Sequence, residues 1–215
     1  MVGQGVLREC VLDPDVEAVV SVVRRETRPS LGRTSGKVRE VVAANFYDYS
    51  KIEGSFVGYD VCFFCLGVSA AGMKEAEYRR VTFDLTMAAA RTLLRLNPTT
   101  ASGGMTFLYV SGMGTDAGSR SMWARVKGET ENALLGMGFK AAYMFRPGAI
   151  VPLHGITSKT TLYRVTYTAL KPFLPVLLRV FPKYVTTEQV GRAMLCVAKH
   201  GYPKHVVEAV DIAAL

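Results

Sequence analysis

A chain of 215 residues, 49% hydrophobic and 20% charged, has the size of one globular domain that buries roughly 70–75% of its unfolded surface. It opens with no basic region followed by an apolar run, and no uncharged apolar stretch reaches the roughly 20 residues of a membrane-spanning helix. The expected compartment is therefore the reducing cytoplasm, since four scattered cysteines at positions 10, 62, 65 and 196 form no disulfide framework.

In chain order, Val6 to Leu12 is a helical run preceded by Met1-Val2-Gly3-Gln4-Gly5. A glycine at the start of a helix that follows a glycine-rich turn is where backbone N–H groups hold a pyrophosphate. Gly3 reads as the last glycine of such a turn. Val16 to Val23 is a first strand candidate, ending at Arg24-Arg25, and Val38 to Ala43 a second. Tyr59 to Leu66 is a third, nearly continuous in apolar residues, as a strand buried on both faces should be. Met73 to Leu96 reads as helix, stopped by Pro98; Met105 to Ser111 is a fourth strand and Trp123 to Met137 the helix after it. Lys140 to Arg146 is a fifth strand, ended by Pro147-Gly148. Thr157 to Tyr184 mixes apolar and basic residues with Pro172, Pro175 and Pro182, which predicts broken helices over a cleft. Thr186 is a predicted N-cap for a helix to about Lys199, and Val206 to Val210 a last strand. Alternation of this kind gives the α/β class: a Rossmann-like, doubly wound parallel sheet in a single domain, with helices on both faces.

The charge of +8 is partly local, because Arg24, Arg25, Arg28, Arg33, Lys37 and Arg39 face only Glu26 within their stretch. Three readings stay open: a solvated loop, a site for the extra phosphate of NADP, or a nonspecific polyanion patch. Nucleic acid is not an expected partner, because no aromatic residues interleave with these charges. Tyr163 to Tyr184 carries Arg164, Lys171, Arg179 and Lys183 among apolar residues. That composition suits a membrane surface, but three prolines oppose one continuous amphipathic helix. Cys62 and Cys65 form a C-x-x-C whose side chains point to opposite faces of a strand, which makes them core residues. His154, His200 and His205 lack metal-ligand spacing, so no metal is expected.

Taken together, Met1-Val2-Gly3, the strand ending at Arg24-Arg25, Asp60-Val61 leading to Leu66-Gly67, Val110-Ser111-Gly112, Lys127 and Arg146-Pro147-Gly148 resemble the short-chain dehydrogenase/reductase superfamily. More narrowly, the chain resembles its atypical, epimerase-like NAD(P)-binding branch, over nearly its whole length. The resemblance implies an oxidoreductase-like or epimerase-like protein acting on a small-molecule substrate of unassigned identity. Arg24 lies about 20 residues after Gly3, where an arginine suits the 2′-phosphate of NADP and an acidic residue would suit NAD. Val2, Gly3, Arg24, Arg25, Asn45, Phe46, Leu66, Gly67, Lys127 and Pro147 are then the expected cofactor-binding residues, Asn45-Phe46 standing where relatives often place an acidic residue near the adenine.

The superfamily's usual reaction centre is a serine, a tyrosine, and a lysine four residues after the tyrosine. Ser111 and Lys127 are in place, while the position four before Lys127 holds Trp123, the only tryptophan. An indole N–H donates but does not titrate near neutral pH, and neither Tyr109 nor Tyr143 is spaced to replace the phenol. Catalysis is therefore expected to be impaired or altered, with Ser111, Trp123 and Lys127 at its centre. A non-catalytic, nucleotide-sensing or scaffold role is the alternative. Other readings are a strand-end hydroxyl bonded to backbone for Ser111, a cleft-wall aromatic for Trp123, and for Lys127 a surface lysine paired with Glu131 at i+4.

In the superfamily's strand order the first strand is central, and neither that strand nor the first two glycines of the turn precedes Gly3. A central strand contributes on the order of 10 kcal/mol of apolar burial, comparable with a domain's whole net stability of about 5–15 kcal/mol. The expectation is weak or absent cofactor binding in this chain, and a start at an internal methionine of a longer polypeptide.

Overall fold

The computed structural model describes residues 1–26, 36–100, 103–156 and 184–215. Arg28, Arg33 and nearly all of the segment from Thr157 to Tyr184, with its three prolines and four basic residues, lie outside the described residues, and the cleft-covering and membrane-surface readings lie there with them. Among the described residues no helix is long and apolar enough to cross a membrane.

The chain runs α1 (Val2–Leu12), β1 (Val19–Val23), β2 (Val38–Val42), a short 3₁₀ turn (Glu53–Phe56) and β3 (Val61–Phe64). It continues with α2 (Glu75–Arg79), a π-helical turn (Arg80–Asp84), α3 (Leu85–Leu96), β4 (Thr106–Val110), α4 (Met122–Leu135) and β5 (Ala141–Arg146). A small strand β6 (Ala149–Val151) pairs in parallel with β7 (Tyr184–Thr186), and α5 (Thr187–His200), β8 (Val206–Glu208) and α6 (Ala209–Ala214) complete it. The expected alternation of strand and helix holds, and every described ladder is parallel.

Three differences from the expectations have physical causes. The helix anticipated over Met73 to Leu96 runs without interruption from Glu75 to Leu96 but contains a π-helical turn between α2 and α3; such turns shift the register of the following helix face, which no apolar periodicity records. The last strand stops at Glu208 because a capping interaction there starts α6, the Glu208 N–H donating to Asp211 Oδ2 at 3.0 Å. Pairing of β6 with β7 was not foreseen, since three-residue strands carry no period.

The hydrogen-bonded ladders form two main groups. β1 pairs with β2, and β3, β4, β5 and β8 form a four-stranded sheet in that order, with no ladder joining β1 to β3. β1 is half-buried along its whole length, unlike β4, whose first four residues are buried. Both groups nevertheless contribute to the same two cores. On one face Val20 and Val22 pack with Phe64, Phe107, Tyr109 and Leu85. On the other, Val19 joins Val61, Phe63, Leu108, Phe145 and the inner faces of α1 and α5. Cys62 falls in the first core and Cys65 in the second, as alternation along a strand requires.

Helix α5 starts as expected: Thr186 Oγ1 accepts from Gln189 N–H at 3.0 Å and Gln189 Oε1 accepts from Thr186 N–H at 2.9 Å, a reciprocal capping box. It crosses α1 at a glycine contact. A Cβ on Gly5 would lie 2.5 Å from Thr187 O, and one on Gly191 would lie 2.7 Å from Glu9 Cγ. Gly5 thus lets two helices touch, and Gly3 faces the strand instead, its Cβ position 3.4 Å from Cys65 Cβ.

Candidate functional site

Because the strands are parallel, their carboxyl ends lie along the sheet edges where open α/β sheets bind ligands. Arg24-Arg25 follows β1, Asn45-Phe46 follows β2, Leu66-Gly67 follows β3, Ser111 follows β4 and Pro147 follows β5. The amino end of α1 belongs to the same edge, since Gly3 abuts Cys65 just beyond β3.

At the β1–β2 end, Arg24 is exposed and its guanidinium lies 5.6 Å from the centroid of the Phe46 ring, a cation–π contact that holds the charge at the edge. Asn45 turns back on its own loop, Oδ1 accepting from Tyr47 N–H at 3.0 Å, which leaves its amide N–H groups as donors. Of the other described basic residues, Lys37 donates to Asp13 O at 2.7 Å and Arg39 to Ser55 O at 3.4 Å. Gly67 is exposed, with open space where a side chain would stand. An exposed arginine on an aromatic face, a side-chain-free strand end and a helix amino end suit the phosphate, adenine and backbone approach of a dinucleotide, so the residues present fit one.

At the β4–β5 end the site is built around a buried carboxylate that sequence spacing did not single out. Glu131 is 2% exposed and receives Arg146 at 3.0 Å (Nε to Oε1) and 2.5 Å (Nη2 to Oε2). Arg146 also reaches Glu208 Oε1 at 3.2 Å. Ser111 Oγ donates to Glu131 Oε1 and lies 3.2 Å from Phe145 O. A hydroxyl has one proton; with that proton on Glu131, Ser111 is left only to accept. Lys127 Nζ donates to the Ser111 carbonyl. The i+4 pairing of Lys127 with Glu131 is therefore replaced: Arg146 and Ser111 occupy the carboxylate. Burial pushes the Lys127 ammonium down to about 8, although the negative charge of Glu131 opposes the fall. Pro147 is buried, its carbonyl accepting from Met113 N–H at 3.0 Å.

An open cavity of about 370 Å³ lies at this edge, lined by Val68, Ser69, Ala70, Ala71, Tyr78, Trp123 and Lys127. Trp123 and Lys127 are one turn apart on α4 and share it; Ser111 does not line it. Tyr78, from α2, stands there as well, and sequence spacing missed it because its proximity comes from packing of α2 against α4. Arg125 ties those helices together, its Nη2 2.8 Å from Glu75 Oε2, and Arg79 pairs with Glu129. Burial raises the Tyr78 phenol above its ordinary value, partly offset by a hydrogen bond from Thr82. The loop after β4 presses directly on α4 because residue 128 is glycine: a Cβ there would fall 2.6 Å from Asp116 C and 2.7 Å from Ala117 Cα. That loop in turn supports the indole, with Trp123 Cη2 3.6 Å from the Cβ position of Gly114. Among the described residues no group of three His, Cys, Asp or Glu is placed to hold a metal.

No protein-family model matches this chain. In fold it is similar to an oxidoreductase of the short-chain dehydrogenase/reductase family from Burkholderia thailandensis, at a TM-score of 0.67 and 15% identity over 100% of this chain and 89% of that one. It is similar at the same TM-score to the PhqB reductase domain from Penicillium fellutanum, at 13% identity over 97% of this chain and 63% of that one. These likenesses show the fold, a Rossmann-like α/β parallel sheet. A putative epimerase from Burkholderia cenocepacia is also similar, with a TM-score of 0.65, 12% identity and coverage of 97% of this chain and 71% of that one.

Among curated proteins, the chain is 23% identical over 153 residues to "Protein FMP52, mitochondrial" of Candida albicans, and 25% identical over 153 residues to "Protein fmp52, mitochondrial" of Emericella nidulans. Each match covers 70% of this chain and 63% of the relative, so the chain spans less than two thirds of the relatives' length. Two further relatives, from Scheffersomyces stipitis, are likewise named mitochondrial. These names overturn the expectation of a cytoplasmic protein. The expectation rested on the lack of a secretory signal and of a disulfide framework, which test export alone; mitochondrial addressing depends on different, Arg- and Ser-rich amphipathic segments.

Proposed function

We propose that this protein is an NADP-binding, oxidoreductase-like or epimerase-like member of the atypical short-chain dehydrogenase/reductase group, with altered catalysis. The observation that carries the reading is that Arg24-Arg25, Asn45-Phe46, Leu66-Gly67, Ser111 and Pro147 all follow carboxyl strand ends, with Arg24 held on Phe46 at one end and Lys127 beside the cavity at the other. In this reading Arg24 and Arg25 hold the 2′-phosphate, Asn45 and Phe46 border the adenine, and Val2, Gly3, Leu66 and Gly67 border the pyrophosphate. Lys127 and Pro147 border the nicotinamide ribose. NADP, when bound, supplies or accepts a hydride. The protein's own part is to orient a small substrate against Trp123 and to offer protons from Lys127 and Tyr78, since the indole cannot titrate.

A second, non-catalytic reading is favoured by Ser111, whose only proton goes to Glu131. A serine so occupied does not orient a substrate carbonyl by donation. Calorimetric titration with NADPH and NADH separates the cases, followed by carbonyl-reduction assays. Binding of NADPH at least tenfold tighter than NADH, lost to equality in Arg24→Ala, is expected. Equal affinity for the two would remove the phosphate role of Arg24, and no binding of either would leave the scaffold reading. Binding without turnover of any carbonyl substrate would identify a nucleotide sensor.

A further inference from the structure

We infer that Lys127 is a covalent capture site for small aromatic aldehydes, which enter the cavity between Trp123 and Tyr78 and condense with its amine. The inference concerns the same cavity as the proposed function but does not need the cofactor.

The geometry has three parts. First, Lys127 lines an open cavity large enough for a substituted ring, with aromatic residues from α4 and α2 on its walls. Flat, apolar-faced ligands gain from such walls. Second, Lys127 is the only charged residue among the seven that line it, so neither an acidic partner nor a competing base meets the ligand. Third, the one nearby carboxylate is taken: Glu131 binds Arg146 in bidentate fashion and Ser111 by a hydrogen bond, and among the described residues none forms an ion pair with Lys127.

An ammonium half-buried without a counter-ion sheds its proton more easily than a solvated one. Its fall to about 8 is the consequence. One N–H of the resulting neutral amine can remain on the Ser111 carbonyl, which leaves the lone pair for the incoming carbonyl carbon. The titratable groups around it are Glu131 on its own helix, Tyr78 from α2, and Tyr109 and Arg146 from the adjoining strands. Both phenols are raised by burial and stay protonated; of the two only Tyr78 lines the cavity, where its O–H can donate to the carbonyl oxygen. In the step itself the amine lone pair forms a C–N bond to the carbonyl carbon and the carbonyl oxygen takes a proton. The carbinolamine then loses the amine's second proton and its hydroxyl, as water, and the C=N bond remains.

At pH 7.5 an amine with a pKa near 8 is neutral about two hundred times more often than an ordinary lysine. Its lower basicity returns part of that gain, so a rate advantage on the order of tenfold is expected. The test is reductive trapping: the whole protein is incubated with benzaldehyde and sodium cyanoborohydride, without nucleotide, and benzylation is followed lysine by lysine in a peptide digest. Lys127 should be modified about ten times faster than exposed Lys51 and Lys74, with a pH midpoint near 8. The advantage should fall in Trp123→Leu and disappear in urea. Lys127→Arg, with an unchanged circular dichroism spectrum, should lose that one label and no other. Modification of Lys127 no faster than Lys51, or an advantage that survives unfolding, would overturn the inference. Failure here leaves the NADPH titration untouched, and failure of that titration leaves this trapping untouched.

Discussion

Gly128 is the position where one methyl group tests both the packing and the site. In Gly128→Ala the new Cβ would overlap the backbone of Asp116 and Ala117, at 2.6 Å from Asp116 C and 2.7 Å from Ala117 Cα. Ordinary contacts begin near 3.4 Å and Ala117 N lies nearer still, so α4 and the loop must separate by about an ångström or more. Neither partner is a flexible side-chain end. The loop is also bonded to the helix, Asp116 N–H donating to Ala124 O at 3.2 Å. Overpacking of this kind costs about 1–3 kcal/mol, and against backbone the upper half of that range applies. Alanine recovers up to about 1 kcal/mol of helix propensity over glycine, for a net loss of about 1–2 kcal/mol. In a domain of this size that lowers Tm by roughly 2–8 °C. Because the same loop supports the indole, the Trp123 emission should also shift. Gly54→Ala is the matched control, with nothing within 4 Å of its added Cβ, and should stay within about 0.5 kcal/mol of the parent. Thermal melts and emission spectra of the two variants suffice. A Gly128→Ala protein as stable as the parent, with unshifted emission, would refute this account of how the loop holds the site.

Two other outcomes follow from the charges. Glu131→Gln removes one partner of a buried pair and should destabilise the fold by about 2–4 kcal/mol in urea melts, below the usual maximum because Arg146 keeps Glu208. It should also move the trapping midpoint of Lys127 below 8, since Glu131 is the group that raises it; an upward shift would contradict the arrangement. Asp13 and Glu188 are held below their ordinary values of 3.8 and 4.5, first by hydrogen bonds from Lys199 and His154 respectively. A carboxylate depressed on folding adds stability above its unfolded pKa and loses it as pH falls through the folded one. Tm should therefore be flat between about pH 5 and 7 and fall below pH 5, and Lys199→Met should flatten the acid limb. A Tm that rises on acidification would exclude the scheme.

The sequence made local features readable and left distant ones hidden. The Thr186–Gln189 capping box and the Pro98 stop lie within a few residues of the structure they set. The carboxyl-end positions of Leu66, Ser111 and Pro147 follow from strand order alone. Glu131 was visible only as a neighbour of Lys127 at i+4. Its true partners, Arg146 and Ser111, lie 15 and 20 residues away and meet it through packing of α4 on the sheet. Tyr78 reached the cavity in the same way, across the α2–α4 contact. Gly5 was read beside a phosphate turn, but its demand is steric and comes from Thr187 on a helix at the other end of the chain. No ladder joins β1 to β3, yet both cores span the two groups of strands, which therefore share a common interior.

A nicotinamide ribose bordered by Lys127 would bring the reduced ring within a helical turn of Trp123, which is the chain's only tryptophan and so its own probe. Excitation of Trp123 during an NADPH titration should transfer energy to the dihydronicotinamide. Indole emission should fall and nicotinamide emission rise along one saturable curve, and excess NADP⁺ should reverse both. NADPH that leaves the Trp123 emission unchanged at saturating concentration, or quenching without sensitised nicotinamide emission, would contradict the account.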